Sequence, residues 1–146
     1  MNTTLSVCPH CSQLNRLPED RLRAPARCGS CKEPLFSAVP IALDDSRLRR
    51  IVTRGDVPVL VDFWASWCAP CRIFSPVFES VARDYLHRLV FVKVDTERAP
   101  VAAASHNIRS IPSLLLFHRG QELARQVGAL DAAALKRFIE RNLAAA

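Results

Sequence analysis

The sequence has 146 residues, of which 49% are hydrophobic and 23% charged, a balance typical of a globular protein with a buried core. The net charge of +6 is spread out: residues 1–40 hold five basic and three acidic residues, and residues 41–146 hold fifteen and eleven. Because no run of Lys or Arg marks a nucleic-acid surface, we expect no nucleic-acid partner. No apolar stretch approaches the ~20 residues of a membrane span, and the N-terminus lacks the features of a secretory signal. We therefore expect a soluble, cytoplasmic protein without membrane contact.

Four of the six cysteines form two C-x-x-C pairs near the N-terminus, with sixteen residues between the pairs: Cys8, Cys11, Cys28 and Cys31. This spacing fits a four-cysteine zinc site in which each pair supplies two thiolates from a tight turn. Ordinary thiols or two local disulfides are the alternatives. A segment this short cannot form a sufficient hydrophobic core and needs a cross-link or a bound metal to fold, and disulfides are rare in a reducing cytosol. We therefore predict a zinc-ribbon-like module over residues 1–36 that holds one structural Zn²⁺. His10 is expected to face the solvent, because four cysteines already close the site.

The pattern that follows predicts a second, larger domain over residues 37–146. A short edge strand is expected over residues 38–43. Asp and Ser residues at 44–46 then provide N-cap groups for a helix that ends at Gly55. The next strand, over residues 59–65, is almost continuously apolar, which indicates burial on both faces.

The third C-x-x-C pair follows this strand directly, in Trp67-Cys68-Ala69-Pro70-Cys71. Helical periodicity begins right after it, so the two thiols lie where a strand gives way to a helix. The first turn of a helix has unpaired N–H groups and the positive end of the macrodipole, which lower a thiol pKa below the ~8.5 of a free cysteine. Pro70 suits this turn, because its missing N–H costs nothing there. The arrangement favours a reactive dithiol over a buried structural one.

The remaining pattern alternates between helices and strands. A long helix with a kink at Pro76 is followed by a strand, a short helix, two strands joined by a turn and a last helix that Asp131 caps. The predicted ranges, in that order, are 71–87, 89–94, 99–106, 113–117, 122–127 and a final helix reaching Leu143. This order predicts an α/β protein with a mixed central sheet and helices on both sides.

Two charged residues and one proline stand out in the predicted strands. Asp62 is a carboxylate in a buried strand, and burial should raise its pKa toward the range useful for proton transfer near neutral pH. It precedes Cys68 by six residues and could lie beneath the dithiol, with Lys93 as its charge partner. Alternatively, Asp62 is a structural residue whose hydrogen bonds are satisfied, and Lys93 is a solvated lysine at the edge of the sheet. Pro112, at the entry to a central strand, indicates either a cis peptide bond or an ordinary turn.

Several separated motifs agree in order and spacing with one known family. They are Val61-Asp62-Phe63-Trp64-Ala65, Trp67-Cys68-Ala69-Pro70-Cys71, Val92-Lys93-Val94-Asp95, Ile108-Arg109-Ser110-Ile111-Pro112-Ser113, Phe117-His118-Arg119-Gly120 and Val127-Gly128-Ala129. From about residue 41 to residue 146 the chain resembles a thioredoxin. With the four-cysteine module in front, the whole chain is similar to the bacterial thioredoxin 2 type.

The resemblance implies a thioredoxin fold and a protein-disulfide reductase. Cys68 would attack a substrate disulfide as an exposed thiolate, and Cys71 would resolve the mixed disulfide and leave a Cys68–Cys71 disulfide. Asp62 would assist the deprotonation of Cys71 through water, with Lys93 tuning its charge. The oxidised form would be recycled by an NADPH-dependent thioredoxin reductase. No organic cofactor is implied, and a monomer is the default expectation.

The resemblance also implies a docking surface for substrate beside the dithiol. Pro112 would be cis and packed against the two cysteines, and the backbone of Ile111 would pair with the substrate chain. Trp67, Gly128 and Ala129 would line the surface.

One departure from the family pattern lies between the reactive cysteines, where Ala69 stands in place of the usual Gly. The added methyl stiffens the turn and leaves the reduction potential open. A thiol oxidase or isomerase on the same fold is the runner-up, but those branches tend to have a His inside the pair and a secretory signal. The non-enzymatic alternative is that the zinc module docks a partner and the larger domain is a redox-sensitive scaffold.

Overall fold

The computed structural model describes residues 3–19 and 25–144. Within these residues the strands are β1 (Thr3–Val7), β2 (Leu14–Pro18), β3 (Ile41–Ala42), β4 (Val59–Trp64), β5 (Val90–Asp95), β6 (Ser113–His118) and β7 (Gln121–Val127). The helices are α1 (Asp45–Arg54), α2 (Ala69–Ala82), α3 (Pro100–Ser105) and α4 (Ala132–Leu143), with a 3₁₀ turn at Arg83–Tyr85. None of the helices described has the length and apolar character needed to cross a membrane.

A five-stranded mixed sheet in the order β3-β5-β4-β6-β7 forms the centre of the larger domain. Strands β3, β5 and β4 are parallel, whereas β6 runs antiparallel to β4 and to β7. Side chains alternate between the two faces of each strand. On one face Val61 and Phe63 pack in the core beneath α1 and α3, and on the other Leu60 packs against α2 and α4. The predicted mixed sheet with helices on both sides is therefore confirmed.

Helix α2 begins at the reactive cysteines, as the sequence predicts, but ends earlier. Cys68 is its N-cap residue, and Pro70 lies in the first turn. The helix ends at Ala82 and tightens into the 3₁₀ turn, instead of continuing to residue 87. His87 has a positive φ of 74°, a conformation that ends helices and that periodicity alone does not reveal.

The N-terminal segment contains a hairpin that the sequence analysis missed. Strands β1 and β2 pair antiparallel, and the first C-x-x-C pair forms the turn between them. The two cysteine turns share one geometry: the N–H groups of Ser12 and Lys32 each donate to a carbonyl four residues earlier, and both residues have φ near +67°. In β1 only residues 4–7 alternate between polar and apolar, a run too short to stand out, and β2 has no such alternation.

The N-terminal module packs against the end of the sheet that lies opposite the reactive cysteines. The backbone N–H of Leu5 donates to the Asp56 carboxylate at 2.8 Å, and the Asp56 N–H donates to the Leu5 carbonyl at 2.7 Å. Asp56 also pairs with Arg119 in the β6–β7 turn at 3.3 Å, and Val7 is buried in the core of the larger domain. Asp56 precedes β4 and Cys68 follows it. The length of one strand, on the order of 20 Å, therefore separates the module from the dithiol.

Candidate active site and metal centre

Cys68 and Cys71 form a disulfide at the N-terminus of α2, with their Cα atoms 5.2 Å apart. The backbone N–H of Cys71 points at the Cys68 sulfur at 3.2 Å, which is the N-cap interaction of the helix. Such a donor also stabilises a thiolate at this position once the disulfide is reduced. Cys68 is only 5% exposed and Cys71 2%, so the expected exposure of Cys68 does not hold in this oxidised form. The disulfide turns the Cys68 sulfur toward Cys71 and toward the Ile111 carbonyl oxygen, 3.7 Å away.

The surface around the disulfide brings together the residues that the sequence singled out for docking. The Ile111–Pro112 peptide bond is cis, and Pro112 is buried. The Gly128 N–H donates to the Pro112 carbonyl at 2.8 Å. Gly128 has a φ of +97°, a backbone conformation that residues with a side chain rarely adopt. The Trp67 side chain is 67% exposed and its indole N–H donates to Glu97 at 2.7 Å.

Two further exposed apolar residues near the dithiol escaped the sequence analysis. Ile73 lies on α2, two residues after Cys71, and is 71% exposed, while Val127 ends β7 beside Gly128 and is 53% exposed. Both lie off the buried faces of their elements. An apolar side chain off the periodic stripe of a helix was the available signal for Ile73.

Asp62 lies in the middle of β4 and is fully buried on the face that packs against α2. Neither of its carboxylate oxygens has a hydrogen-bond partner among the residues that the structure describes. Burial raises the pKa of Asp62 to about 7, while the positive charge of Lys93 acts in the opposite direction. Lys93 is the register partner of Asp62 on β5, but its ammonium donates to Ser75 at 2.8 Å and lies over the Trp64 ring.

Asp62→Asn is expected to remove the part of the pH dependence of stability that comes from the raised pKa of Asp62. Well below pH 3.8 the aspartate is protonated whether the chain is folded or unfolded. As the pH rises, the unfolded chain releases this proton first, because its pKa is near 3.8 and that of the folded chain is about 7. The free energy of unfolding of wild type, relative to that of Asp62→Asn, should therefore fall between about pH 4 and pH 8 by on the order of 4 kcal/mol.

Denaturant unfolding of both proteins at pH 4 and pH 8 measures this difference. Asp131→Asn, which alters an exposed carboxylate at the cap of α4, is the control. Parallel stability profiles for wild type and Asp62→Asn would contradict a raised pKa for Asp62.

The sulfur atoms of the first four cysteines meet in one cluster, all within 4.8 Å of one another: Cys8, Cys11, Cys28 and Cys31. Two of the pairs that cross between the turns, Cys8–Cys31 and Cys11–Cys28, are 3.6 Å apart. Four sulfurs bound tetrahedrally at the ~2.3 Å zinc–sulfur distance lie about 3.8 Å from one another, so the cluster fits that ion.

Backbone N–H groups surround the sulfurs of this cluster. The N–H groups of His10 and Cys11 point at the Cys8 sulfur at 3.4 and 3.5 Å, and that of Ser30 points at the Cys28 sulfur at 3.4 Å. Hydrogen bonds, above all the one from the Cys31 N–H, lower the pKa of Cys28 to about 6, whereas burial raises the pKa of Cys8 to about 12. Thiolates in such turns are ready metal ligands, and a bound ion would hold the two turns together. The His10 side chain is exposed, as expected.

Comparisons with known proteins agree with both parts of the chain. The family model described as Thioredoxin matches residues 39–141, and the model described as Thioredoxin 2, N-terminal, matches residues 7–33. Thioredoxin C-3 of Corynebacterium nephridii is 39% identical over 137 residues, which cover 94% of each chain. Thioredoxin 1 of Nostoc sp. is 43% identical over 99 residues, which cover 68% of this chain and 92% of the relative.

A solved structure supports the same assignment. A mutant thioredoxin from Halobacterium salinarum NRC-1 superimposes with a TM-score of 0.65 at 31% identity, covering 73% of this chain and 92% of that one. The resemblance drawn from the motifs is thus confirmed along the chain, from the four-cysteine segment to α4. The chain belongs to the thioredoxin family, and it is a thiol–disulfide oxidoreductase with a four-cysteine module in front of its catalytic domain.

Proposed function

We propose that the protein reduces disulfides of other proteins, with Cys68 as the attacking residue and Cys71 as the resolving residue. The Cys68 thiolate attacks one sulfur of the substrate disulfide, forming a mixed disulfide and releasing the other substrate sulfur as a thiolate. Cys71 gives up its proton and attacks the Cys68 sulfur, which releases the second substrate thiolate. Two electrons have then passed to the substrate, and the protein carries the Cys68–Cys71 disulfide. The observation that supports this most is the position of Cys68 at the N-cap of α2, bonded to Cys71.

Asp62 is the proposed proton acceptor for Cys71. Asp62 lies on the face of β4 against which α2 packs, and Cys71 belongs to α2, so both residues are on the same side of the sheet. A carboxylate with a pKa of about 7 can take and return a proton near neutral pH. Because no hydrogen bond joins the Asp62 carboxylate to Cys71 among the described residues, a water molecule is proposed to carry the proton between them.

The proposed substrate surface surrounds the dithiol. The Ile111 backbone, next to the Cys68 sulfur, is the proposed partner for an extended substrate segment, since backbone pairing recognises chains without regard to sequence. Pro112 and Gly128 form the floor of this surface, and Trp67 supplies exposed apolar area at its edge.

The remaining assignments concern the rest of the molecule. We propose one structural Zn²⁺ on the four cysteines, within a module ending near residue 36, and a catalytic domain over residues 37–146. With four protein ligands this ion has no open position, so it holds the fold of the module and takes no part in the reaction. The recycling partner is proposed to be an NADPH-dependent thioredoxin reductase, and the protein is proposed to act as a cytoplasmic monomer.

A coupled assay tests this function. Insulin, NADPH and a bacterial thioredoxin reductase are mixed with the protein, and we expect one NADPH to be consumed for each insulin disulfide reduced. Gly128→Asp should raise the KM for insulin severalfold, because it adds bulk and charge to the docking surface. Gly120→Asp is the matched control, since Gly120 also has a positive φ with open space around it but lies at the β6–β7 turn, at the other end of β6.

Each part of the proposal has its own contradicting result in this assay. Insulin reduction with dithiothreitol but none with NADPH and the reductase would refute the proposed recycling partner. Equal KM values for the two glycine variants would refute the docking surface.

A further inference from the structure

The ammonium of Lys93 is held by two contacts that do not involve Asp62. It donates a hydrogen bond to the Ser75 hydroxyl at 2.8 Å, and it lies 4.7 Å from the centre of the Trp64 ring. Ser75 belongs to the second turn of α2, and Trp64 is the last residue of β4. A hydrogen bond and a cation–π contact together fix the position of a long, flexible side chain.

This position is unexpected, because Asp62 is within reach of Lys93. The two residues are register partners on the adjacent parallel strands β4 and β5, whose spacing is about 4.8 Å. Both project to the face that packs against α2, as Leu60 and Phe91 do on the same strands. A buried carboxylate beside an ammonium normally forms an ion pair. Here both oxygens of Asp62 lack a partner in the described part of the chain.

We propose that Ser75 is a positioning residue: its hydroxyl holds the Lys93 ammonium beside Trp64 and so prevents it from pairing with Asp62. The proposal rests on the proton-accepting role proposed above for Asp62. Direct pairing with an ammonium would favour the carboxylate and make Asp62 too weak a base to take the Cys71 proton near neutral pH. At its present position the ammonium only moderates the effect of burial on Asp62.

Other charged groups lie near Lys93 and Asp62 and are potential partners for either of them. A cleft of about 340 Å³ lies along α2 and is lined by Lys93, Ser75 and Cys71, and also by Arg72 and Glu79. The Arg72 guanidinium donates to the Ser66 carbonyl at 2.8 Å and so has a partner other than Asp62.

Four acidic groups line the two clefts beside Lys93 and could compete with Asp62 for a released ammonium: Asp44, Glu79, Asp95 and Glu97. Glu79 lies one turn after Ser75 on α2 and is exposed. Asp95, two residues beyond Lys93 on β5, accepts from the Glu97 N–H at 2.9 Å. On β6 the register partner of Asp62 is Leu114, which is apolar. Asp62 is the buried acceptor of this set. The electrostatic attraction of an ion pair is strongest where water is excluded, so a released Lys93 ammonium should pair with Asp62.

The test is a direct titration of Asp62 in the oxidised protein, in which Cys68 and Cys71 do not titrate. Carboxyl ¹³C NMR follows Asp62, and Asp62→Asn assigns its signal. Ser75→Ala should move the midpoint down by about one pH unit or more, because Lys93 becomes free to pair with Asp62. Ser75→Thr keeps the hydroxyl and should keep the wild-type midpoint. An unchanged or raised midpoint in Ser75→Ala would overturn the proposal.

Two further variants separate this effect from a general change in packing. In a Lys93→Met background, Ser75→Ala should have no effect on the Asp62 midpoint, because no ammonium is left to move. In a Glu79→Gln background the full downward shift should remain. A shift that persists without Lys93, or one that disappears without Glu79, would contradict the proposal.

The kinetic consequence distinguishes the positioning role of Ser75 from the role of Asp62 itself. The pH profile of the resolving step should move to lower pH in Ser75→Ala, by the same amount as the NMR midpoint. If Asp62→Asn resolves the mixed disulfide at the wild-type rate, the role of Asp62 is wrong. If Asp62→Asn is slow but Ser75→Ala leaves the profile unchanged, only the role of Ser75 is wrong.

Discussion

Cys68→Ser is expected to lower insulin reduction to the rate seen without protein. Cys68 is the N-cap of α2, where the Cys71 N–H and the helix N-terminus stabilise a thiolate. A serine hydroxyl at this place is not ionised near neutral pH and does not attack a disulfide. Insulin turbidity with dithiothreitol as reductant measures the loss.

The control for this prediction is a cysteine variant at the other end of the molecule. Cys28→Ser removes a thiol as well, but from the four-cysteine cluster, and should keep most of the activity. Circular dichroism shows whether each variant is folded. A folded Cys68→Ser protein that still reduces insulin at the wild-type rate would contradict the assignment of the attacking thiol.

Removal of the metal is expected to unfold the N-terminal module while the catalytic domain stays folded. The module has a small core of its own, in which Leu17, Leu35 and Phe36 pack around buried cysteines. Metal binding to such a site supplies on the order of 10 kcal/mol, more than this core can replace. Because the module lies at the end of β4 opposite Cys68, insulin reduction should survive the loss of the metal.

Metal analysis of the purified chain should find one zinc per molecule. Amide hydrogen exchange before and after treatment with a chelator then follows both parts of the chain. We expect protection to be lost in β1 and β2 and kept in β4 and β6, because the latter belong to the main core. Equal protection of β1 and β2 with and without metal would refute the stabilising role of the ion.

Much of this architecture could be predicted because strong local signals coincide with the fold. The run over residues 59–65 is apolar because β4 is buried on both faces, and Asp44 and Asp131 cap helices where the sequence indicates. The cysteine spacing predicted the four-sulfur cluster, since two C-x-x-C turns present their thiols in one way. The cis bond at Pro112 was one of two alternatives, and the structure has it.

The features that the sequence did not reveal depend on contacts between distant residues. Strand β1 is polar for much of its length, and its place is set by the Asp56 backbone and carboxylate, 51 residues from Leu5. Lys93 was expected to be the charge partner of Asp62, but the Ser75 hydroxyl on another element takes its hydrogen bond. No periodicity encodes such a choice, because it depends on where α2 packs on the sheet.

If Cys68 attacks the substrate and Cys71 resolves the intermediate, a protein without Cys71 should accumulate the mixed disulfide, which can then be trapped. The Cys71→Ser variant is reacted with an oxidised protein substrate, quenched with acid and analysed by peptide mass spectrometry without reduction. We expect a stable disulfide that joins Cys68 to a substrate cysteine. A substrate adduct on any of the other four cysteines instead, or multiple turnovers by Cys71→Ser without an adduct, would contradict this mechanism.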